Sequence, residues 1–172
     1  MLHLDLSPCR ITRLDDRDAA LLQDLHERCS DYHELEEGIP TRAGAAEHLL
    51  TGLPPGKTPV DKHVLGIHAP QGGLVGVLDL IHDYPGEGEW WIGLLMLDPS
   101  ARAAGLGTRL FRALERAIAA AGGTAIGLGV LEHNTRAERF WRGLGFTEMR
   151  RQPYKSATGH ASRVIVMRYG LR

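Results

Sequence analysis

The stretch Leu95-Met96-Leu97-Asp98-Pro99-Ser100-Ala101-Arg102-Ala103-Ala104-Gly105-Leu106-Gly107-Thr108 joins an apolar segment to a helix-forming one through small residues. The first turn of a helix leaves four backbone N–H groups unpaired and carries the positive end of the dipole, so this junction can hold phosphate. Gly105 and Gly107 let the backbone approach such a ligand with no Cβ in between. A dinucleotide fingerprint needs a third glycine where Leu110 stands, and a different preceding strand, so that reading is excluded. Gly56-Lys57-Thr58 matches the end of a P-loop, but Gly52 is one residue out of register and Pro54-Pro55 offer no N–H, which leaves a plain loop. His26, Cys29 and His33 share one helical face and carry zinc-binding atoms. Cys29 also continues a buried apolar stripe, so no metal is expected.

These residues need elements to position them. Periodicity gives a short strand over Ile11 to Leu14, then a helix capped by Asp15 or Asp16 with Leu22, Leu25 and Cys29 on its apolar face. The stretch Cys29 to Gly38 reads as the end of that helix and a loop, and a second helix is predicted from about Arg42 to Leu50. Thr51 to Lys62 is rich in Gly and Pro and reads as a loop. His63 to Ala69, Leu74 to His82 and Glu89 to Leu97 form a predicted antiparallel meander. Beyond Pro99 the period changes to that of a helix carrying Leu106, Leu110, Leu114 and Ile118, stopped by Gly122-Gly123. A strand follows over Thr124 to Leu131, then a helix capped by Asn134 with Ala137, Phe140, Trp141 and Leu144 inward and Gly145 at its exit. Phe146 to Gln152 and Ser162 to Tyr169 complete an α/β fold, a mixed, mostly antiparallel central sheet flanked by helices.

The 172 residues amount to one domain, 1–172, with its core over about 11–169. Hydrophobic residues are 43% of the chain, and Gly and Pro together about 17%, below the level of low-complexity disorder. The longest apolar stretch, Trp90 to Leu97, is far shorter than the roughly 20 residues of a membrane span, so no membrane partner is expected. Two cysteines and a start without a basic or apolar leader favour a cytoplasmic setting. The net charge of −1 conceals a split, with −10 over residues 1–98 and +9 over residues 99–172. Such a split suits a polyanionic ligand on the second half. Nucleic acid is set aside, because no aromatic-interleaved platform or recognition motif accompanies the basic residues.

With these elements in place the sequence resembles the GNAT superfamily of N-acetyltransferases. The family's acyl-CoA motif, Arg/Gln-x-x-Gly-x-Gly/Ala, is met by Arg102-Ala103-Ala104-Gly105-Leu106-Gly107, and its second motif by Asn134, Ala137, Phe140 and Leu144-Gly145-Phe146. The resemblance implies transfer of an acetyl group from acetyl-CoA, as cosubstrate, to an amine. Pyrophosphate is then expected on the N–H groups of Arg102, Ala103, Ala104, Gly105, Gly107 and Thr108. The pantetheine arm would pair with the strand edge at Leu95, Met96 and Leu97, and a backbone N–H near Leu95 or Met96 would polarise the acetyl carbonyl. Asn134, Ala137, Phe140 and Trp141 would line the thioester end. Trp141 stands where many members have a tyrosine acid; an indole N–H is no acid, so packing is expected of it, with Tyr154 or His133 as substitute donors. A CoA-binding module with little catalysis is the alternative this departure motivates.

An alkylammonium must lose a proton before it attacks. Glu89 opens the central strand on the face of Trp91, Gly93 and Leu95 by the period of two, and is the first candidate for the base, ahead of His82, Asp83 and Glu87. Tyr32 with Asp31, Glu34 and Glu37 can wall an ammonium pocket, to which His82, Trp91 and Tyr154 are added as substrate-binding residues. Pro153 to Ala161 is read as a lid. The expected partner is an amine acceptor, whether small molecule, peptide or protein, with a homodimer left open.

Overall fold

The computed structural model describes residues 2–171. Seven strands form one sheet in the order β1-β2-β3-β4-β5-β7-β6: β1 Arg10–Arg13, β2 Lys62–His68, β3 Leu74–His82, β4 Glu89–Leu97, β5 Ala125–Leu131, β6 Thr147–Lys155 and β7 Ala161–Gly170. Every neighbouring pair is antiparallel except β4 and β5, which are parallel and paired only from Glu89 to Ile92. The helices are α1 Ala19–Arg28, α2 Ser30–Glu37, α3 Ala45–Thr51, α4 Leu106–Ala120 and α5 Thr135–Leu144.

Two apolar layers sandwich the sheet. Leu110, Phe111, Leu114 and Ile118 of α4 and Trp141 and Leu144 of α5 pack on Leu78, Leu80, Ile92, Ile126, Leu128 and Ile165. On the other face Leu22 and Leu25 of α1 and Ala46 of α3 meet Val64, Val77 and Met96. Each fully buried aliphatic side chain contributes about 1.5–3 kcal/mol, so these stripes are what hold the helices to the sheet. Asn134 caps α5 by accepting from the Ala137 N–H at 3.0 Å, and Gly145 ends it at φ 104°, as its position in the sequence requires.

Three expectations need correction. Ser30–Glu37 is a helix, not a loop, ended by Gly38 in the left-handed region. The stretch Pro153–Lys155 continues β6, and the turn Ser156–His160 is closed on itself and tied to α2 by the Thr158 hydroxyl, which donates to the Glu37 carbonyl at 3.2 Å. The segment expected to close over substrate is thus a short turn that braces α2. The third correction concerns β4. Asp79 opposes Leu94 and Leu80 opposes Ile92, so Gly93 is an extra residue, a β-bulge. Before it Trp90 and Ile92 face the α4/α5 layer; after it Leu94 and Met96 face the α1/α3 layer, while Leu95 and Leu97 turn to α4 and α5. The bulge reverses the alternation, so Glu89 and Trp91 do not share a face with Leu95.

Candidate functional site

Parallel pairing with β5 ends at Ile92, so β4 presents an unpaired edge from Gly93 to Leu97. Beneath that edge opens a cavity of about 530 Å³ lined by Leu95, Met96, Leu97, Arg102, Ala103, Gly105, Gly107, Thr108, Asn134, Ala137, Phe140 and Trp141, with Tyr32 closing one side. Its floor is the start of α4. Gly105 sits at φ 75° and Ala103 at φ 64°, so the loop turns sharply enough to aim the first N–H groups of α4 at the opening. An alanine in that conformation stores strain of the kind that collects at binding loops. A Cβ at Gly107 would lie 3.1 Å from the Phe140 ring, so glycine is what lets α4 and α5 close on this floor. Nothing lies within 4 Å of a Cβ at Gly105, which faces the open groove.

The cavity gathers all the expected cofactor residues but one. Ala104 lies outside the lining, whereas Asp31, Leu35 and Arg136 belong to it without a signal in the motifs. Arg102 has a different job from the one expected. Its N–H is taken by the Pro99 carbonyl, its Nε donates to the Leu97 carbonyl at 2.8 Å, and its guanidinium forks onto Asp31. It ties the loop between β4 and α4 to α2, and its own N–H is not free. Asn134 spends its carbonyl oxygen on the helix cap and lines the cavity. Trp141 is 7% exposed and packs edge-on against Phe111, Phe140 and Phe146, as a wall does.

A smaller cavity of about 180 Å³ lies on the opposite side of the bulge, between α2, α3 and β4, and Tyr32 lines both. Its walls are His26, Tyr32, His33, Glu36, Glu37, Arg42, His48 and the β4 residues Gly93 and Leu94. His26 Nδ1 and His33 Nε2 are 2.8 Å apart in a buried contact, and the outer nitrogens, His26 Nε2 and His33 Nδ1, have no partner among the described residues. Burial drives the His26 imidazole down to about 4, assisted by the neighbouring His33, and burial lowers His33 also. A ring nitrogen of His33 and carboxylate oxygens of Glu36 and Glu37 lie within 4.8 Å of one another. Glu36 accepts from the Tyr154 hydroxyl at 2.7 Å, and Glu37 pairs with Arg42 at 3.3 Å. Cys29 does not join the histidines; its thiol points to the Leu97 carbonyl at 3.4 Å, so the zinc-type face suggested by the spacing is not formed.

The other acceptor and base candidates lie elsewhere. Glu89 is the first residue of β4, paired with Arg168 at 3.2 Å and outside both cavities. Six residues along a strand separate it from Leu95, roughly 20 Å, so it is not placed to deprotonate an amine at the β4 edge. His82 is held by Asp83 at 2.9 Å and stacks near His63 and Trp90. Asp83 accepts the Gly88 N–H, and Trp91 lies edge-on to Tyr84 and over Gly127. Glu34 accepts the Ser30 hydroxyl on the exposed side of α2. Tyr154 does reach the smaller cavity, but through Glu36; burial and that carboxylate hold its phenol well above its ordinary value, which makes it a poor acid. His133 is occupied by the Leu35 carbonyl and Ser162.

The model of the acetyltransferase (GNAT) family matches residues 21–146. No curated protein sequence matches the chain. Solved structures share the fold: the ribosomal-protein-S18-alanine N-acetyltransferase of Escherichia coli is 16% identical, with 95% of this chain and 94% of that chain covered and a TM-score of 0.69. The spermidine N-acetyltransferase of Vibrio cholerae, in complex with CoA and spermine, is 18% identical over 96% of each chain, with a TM-score of 0.70. An acetyltransferase from Thermus thermophilus is 23% identical, with 95% of this chain and 97% of that chain covered and a TM-score of 0.68. No helix among the described residues is long and apolar enough to cross a membrane.

Proposed function

The chain belongs to the acetyltransferase (GNAT) family, whose model spans most of it, and we propose that it moves an acetyl group from acetyl-CoA to a primary amine by direct attack in a ternary complex. One observation carries this reading: two cavities of opposite character meet at the β4 bulge and share Tyr32. The larger has a helix start for phosphates, an unpaired strand edge for an amide-bearing arm and an aromatic wall. These features fit acetyl-CoA, which supplies an activated thioester. The N–H groups at Gly105, Gly107 and Thr108 hold negative charge, the free edge over Leu95, Met96 and Leu97 pairs with the arm, and Asn134 donates its NH2 group. A backbone N–H freed by the splay near Leu95 polarises the carbonyl. Trp141 excludes water from that end and donates no proton.

The smaller cavity supplies the acceptor side. Its carboxylates and aromatic wall favour a cation, and the spermidine and ribosomal-protein enzymes of the same fold indicate that such a scaffold serves both small and protein amines. The test is thiol release from acetyl-CoA against spermidine, free lysine, an alanine-ended peptide and a lysine-bearing peptide. Acetyl-CoA should also raise the Tm by linkage, and Gly105→Glu, which places a negative charge in the open groove, should abolish that rise. Binding without thiol release on any amine would select a CoA-binding module instead, and a Tm rise unchanged in Gly105→Glu would displace the cofactor from this groove.

A further inference from the structure

The pair His26 and His33 is a feature that the acetyl-CoA groove does not use. Both rings are buried, 2% and 4% exposed, and each leaves one nitrogen without a partner among the described residues. An unpaired polar atom in such a place costs about 1–3 kcal/mol, and two side by side call for a ligand that repays them. The contact fixes their chemistry. Each neutral imidazole has one N–H and one lone pair. One hydrogen lies in the 2.8 Å contact, so of the two outer nitrogens one bears hydrogen and the other a lone pair.

Beside the pair, a nitrogen of His33 converges with oxygens of Glu36 and Glu37 within 4.8 Å. An alkylammonium has three hydrogens to donate, and in the tautomer that leaves the outer lone pair on His33 Nδ1 that nitrogen and the two carboxylates supply three acceptors. The local charge also leaves room for a cation: Glu37 is matched by Arg42, while Glu36 meets only neutral phenols, those of Tyr154 and Tyr32, among the described residues, leaving one net negative charge. Gly93 and Leu94 belong to the same cavity, so a group seated there abuts the bulge at which β4 leaves β5. We propose that His33, Glu36 and Glu37 seat the ammonium of the acceptor, and that the His33–His26 pair takes its proton. This rests on the acetyltransferase reading and deepens it.

The ammonium gives one proton to the outer lone pair, and the hydrogen in the contact shifts, so the positive charge is shared by the two rings. The neutral amine's lone pair forms the C–N bond to the acetyl carbon as the C–S bond breaks. The second proton of the amine goes to the departing thiolate, and the pair returns its proton to water once product leaves. Burial lowers both rings, so they are neutral before the amine arrives, while the charges of Glu36 and Glu37 act in the opposite sense on His33 and favour it as the ring that takes the proton. The charged and titratable groups around them are Asp31, Tyr32, Glu36 and Glu37 of α2, Arg42 of the following loop and His48 of α3, with Tyr154 of β6 behind Glu36.

The experiment uses the full chain with acetyl-CoA and the amine panel. His33→Gln and His26→Gln should keep the acetyl-CoA Tm rise and lose roughly 100-fold or more in kcat/KM at pH 7. The deficit should shrink about tenfold per pH unit as the pH nears the amine's own pKa near 10, a trend that a packing defect does not give. As a measurement on the unaltered protein, methylammonium at pH 7 should shift the imidazole 15N resonances of the pair, and Glu36→Gln should weaken that shift. Wild-type turnover with variants within threefold of it, or a deficit equal at all pH, overturns the proposal and leaves the acetyltransferase reading standing. So does the absence of any methylammonium shift, or activity that a chelator removes and zinc restores. A wild type inert on the whole panel overturns both.

Discussion

Gly93→Ala is the sharpest probe of the bulge that divides the two cavities. A Cβ at this position would stand 2.5 Å from Asp79 Oδ2, well inside contact distance. Asp79 cannot simply swing aside. It is 6% exposed, and Lys62, equally buried, holds its Nζ 2.7 Å from Asp79 Oδ1 as a buried ion pair. Relief requires either a backbone shift of β4, at the 1–3 kcal/mol usual for overpacking, or loss of a buried ion pair, which costs about 3–5 kcal/mol when one partner is stranded. The cheaper route wins, so a loss of about 2 kcal/mol is expected. In a domain of this size that is a fall of about 4–8 °C in Tm. Because the shift moves the edge on which the thioester is aligned, kcat/KM should drop tenfold or more. Thermal unfolding and thiol release read the two effects. The decisive control is Gly93→Ala in an Asp79→Ala, Lys62→Met background, where the obstructing carboxylate and its partner are both gone and the added methyl should cost under about 1 kcal/mol. An equal cost in both backgrounds would refute the clash as its source.

Three other outcomes follow from the geometry. Trp141→Phe should keep most activity in the thiol-release assay, and Trp141→Tyr should give no large gain, because the residue serves as a wall. Tyr154→Phe should raise the amine KM several-fold with kcat within tenfold, since its hydroxyl orients Glu36 and does not touch the thioester; a hundredfold loss confined to kcat would reassign it as the acid. In pH-dependent unfolding, two groups shape the acid limb. Hydrogen bonds from Ser100, with Arg28 alongside, hold Asp98 down to about 2, so its stabilisation is complete above its unfolded value of 3.8 and is lost as pH falls toward 2. His26 has a folded value of about 4 against 6.5 unfolded, so the unfolded chain binds more protons in that window and stability falls as pH drops from 6.5 to 4. His26→Gln should flatten the upper window, and Asp98→Asn the lower.

The parts legible in the sequence are those whose burial is written as periodicity. α4 and α5 carry continuous apolar stripes, α5 ends at a glycine in the left-handed region, and the loop between β4 and α4 is marked by its small residues. α2 is hidden because Ser-Asp-Tyr-His-Glu-Leu-Glu-Glu has no such stripe and begins just one residue beyond the end of α1. The bulge is hidden for a different reason. Strict alternation along Glu89 to Leu97 puts Glu89 on the active face, and a single extra residue reverses it. The glycine inside a strand is the available signal, and the close approach of Asp79 is its physical cause.

Arg102 shows why motif and structure divide the labour differently from expectation. The motif predicts a residue for the cofactor, and the structure keeps it in the lining of the larger cavity while its guanidinium is spent on Asp31 and the Leu97 carbonyl. α2 contributes few side chains to either core; polar tethers set its position. Arg102 holds Asp31 at its start, the His133 ring meets the Leu35 carbonyl, Tyr154 meets Glu36, and Thr158 meets the Glu37 carbonyl at its end. Such bonds contribute about 0.5–1.5 kcal/mol each, much less than the buried stripes of α4. The floor of the larger cavity is thus fixed by packing and the α2 wall of the smaller one by hydrogen bonds, so substitutions on α2 can reshape the smaller cavity without unmaking the start of α4. Three α2 residues are exceptions: Tyr32 and Leu35 line the larger cavity directly, and Asp31 reaches both sides because its partner Arg102 also grips the Leu97 carbonyl at the end of β4.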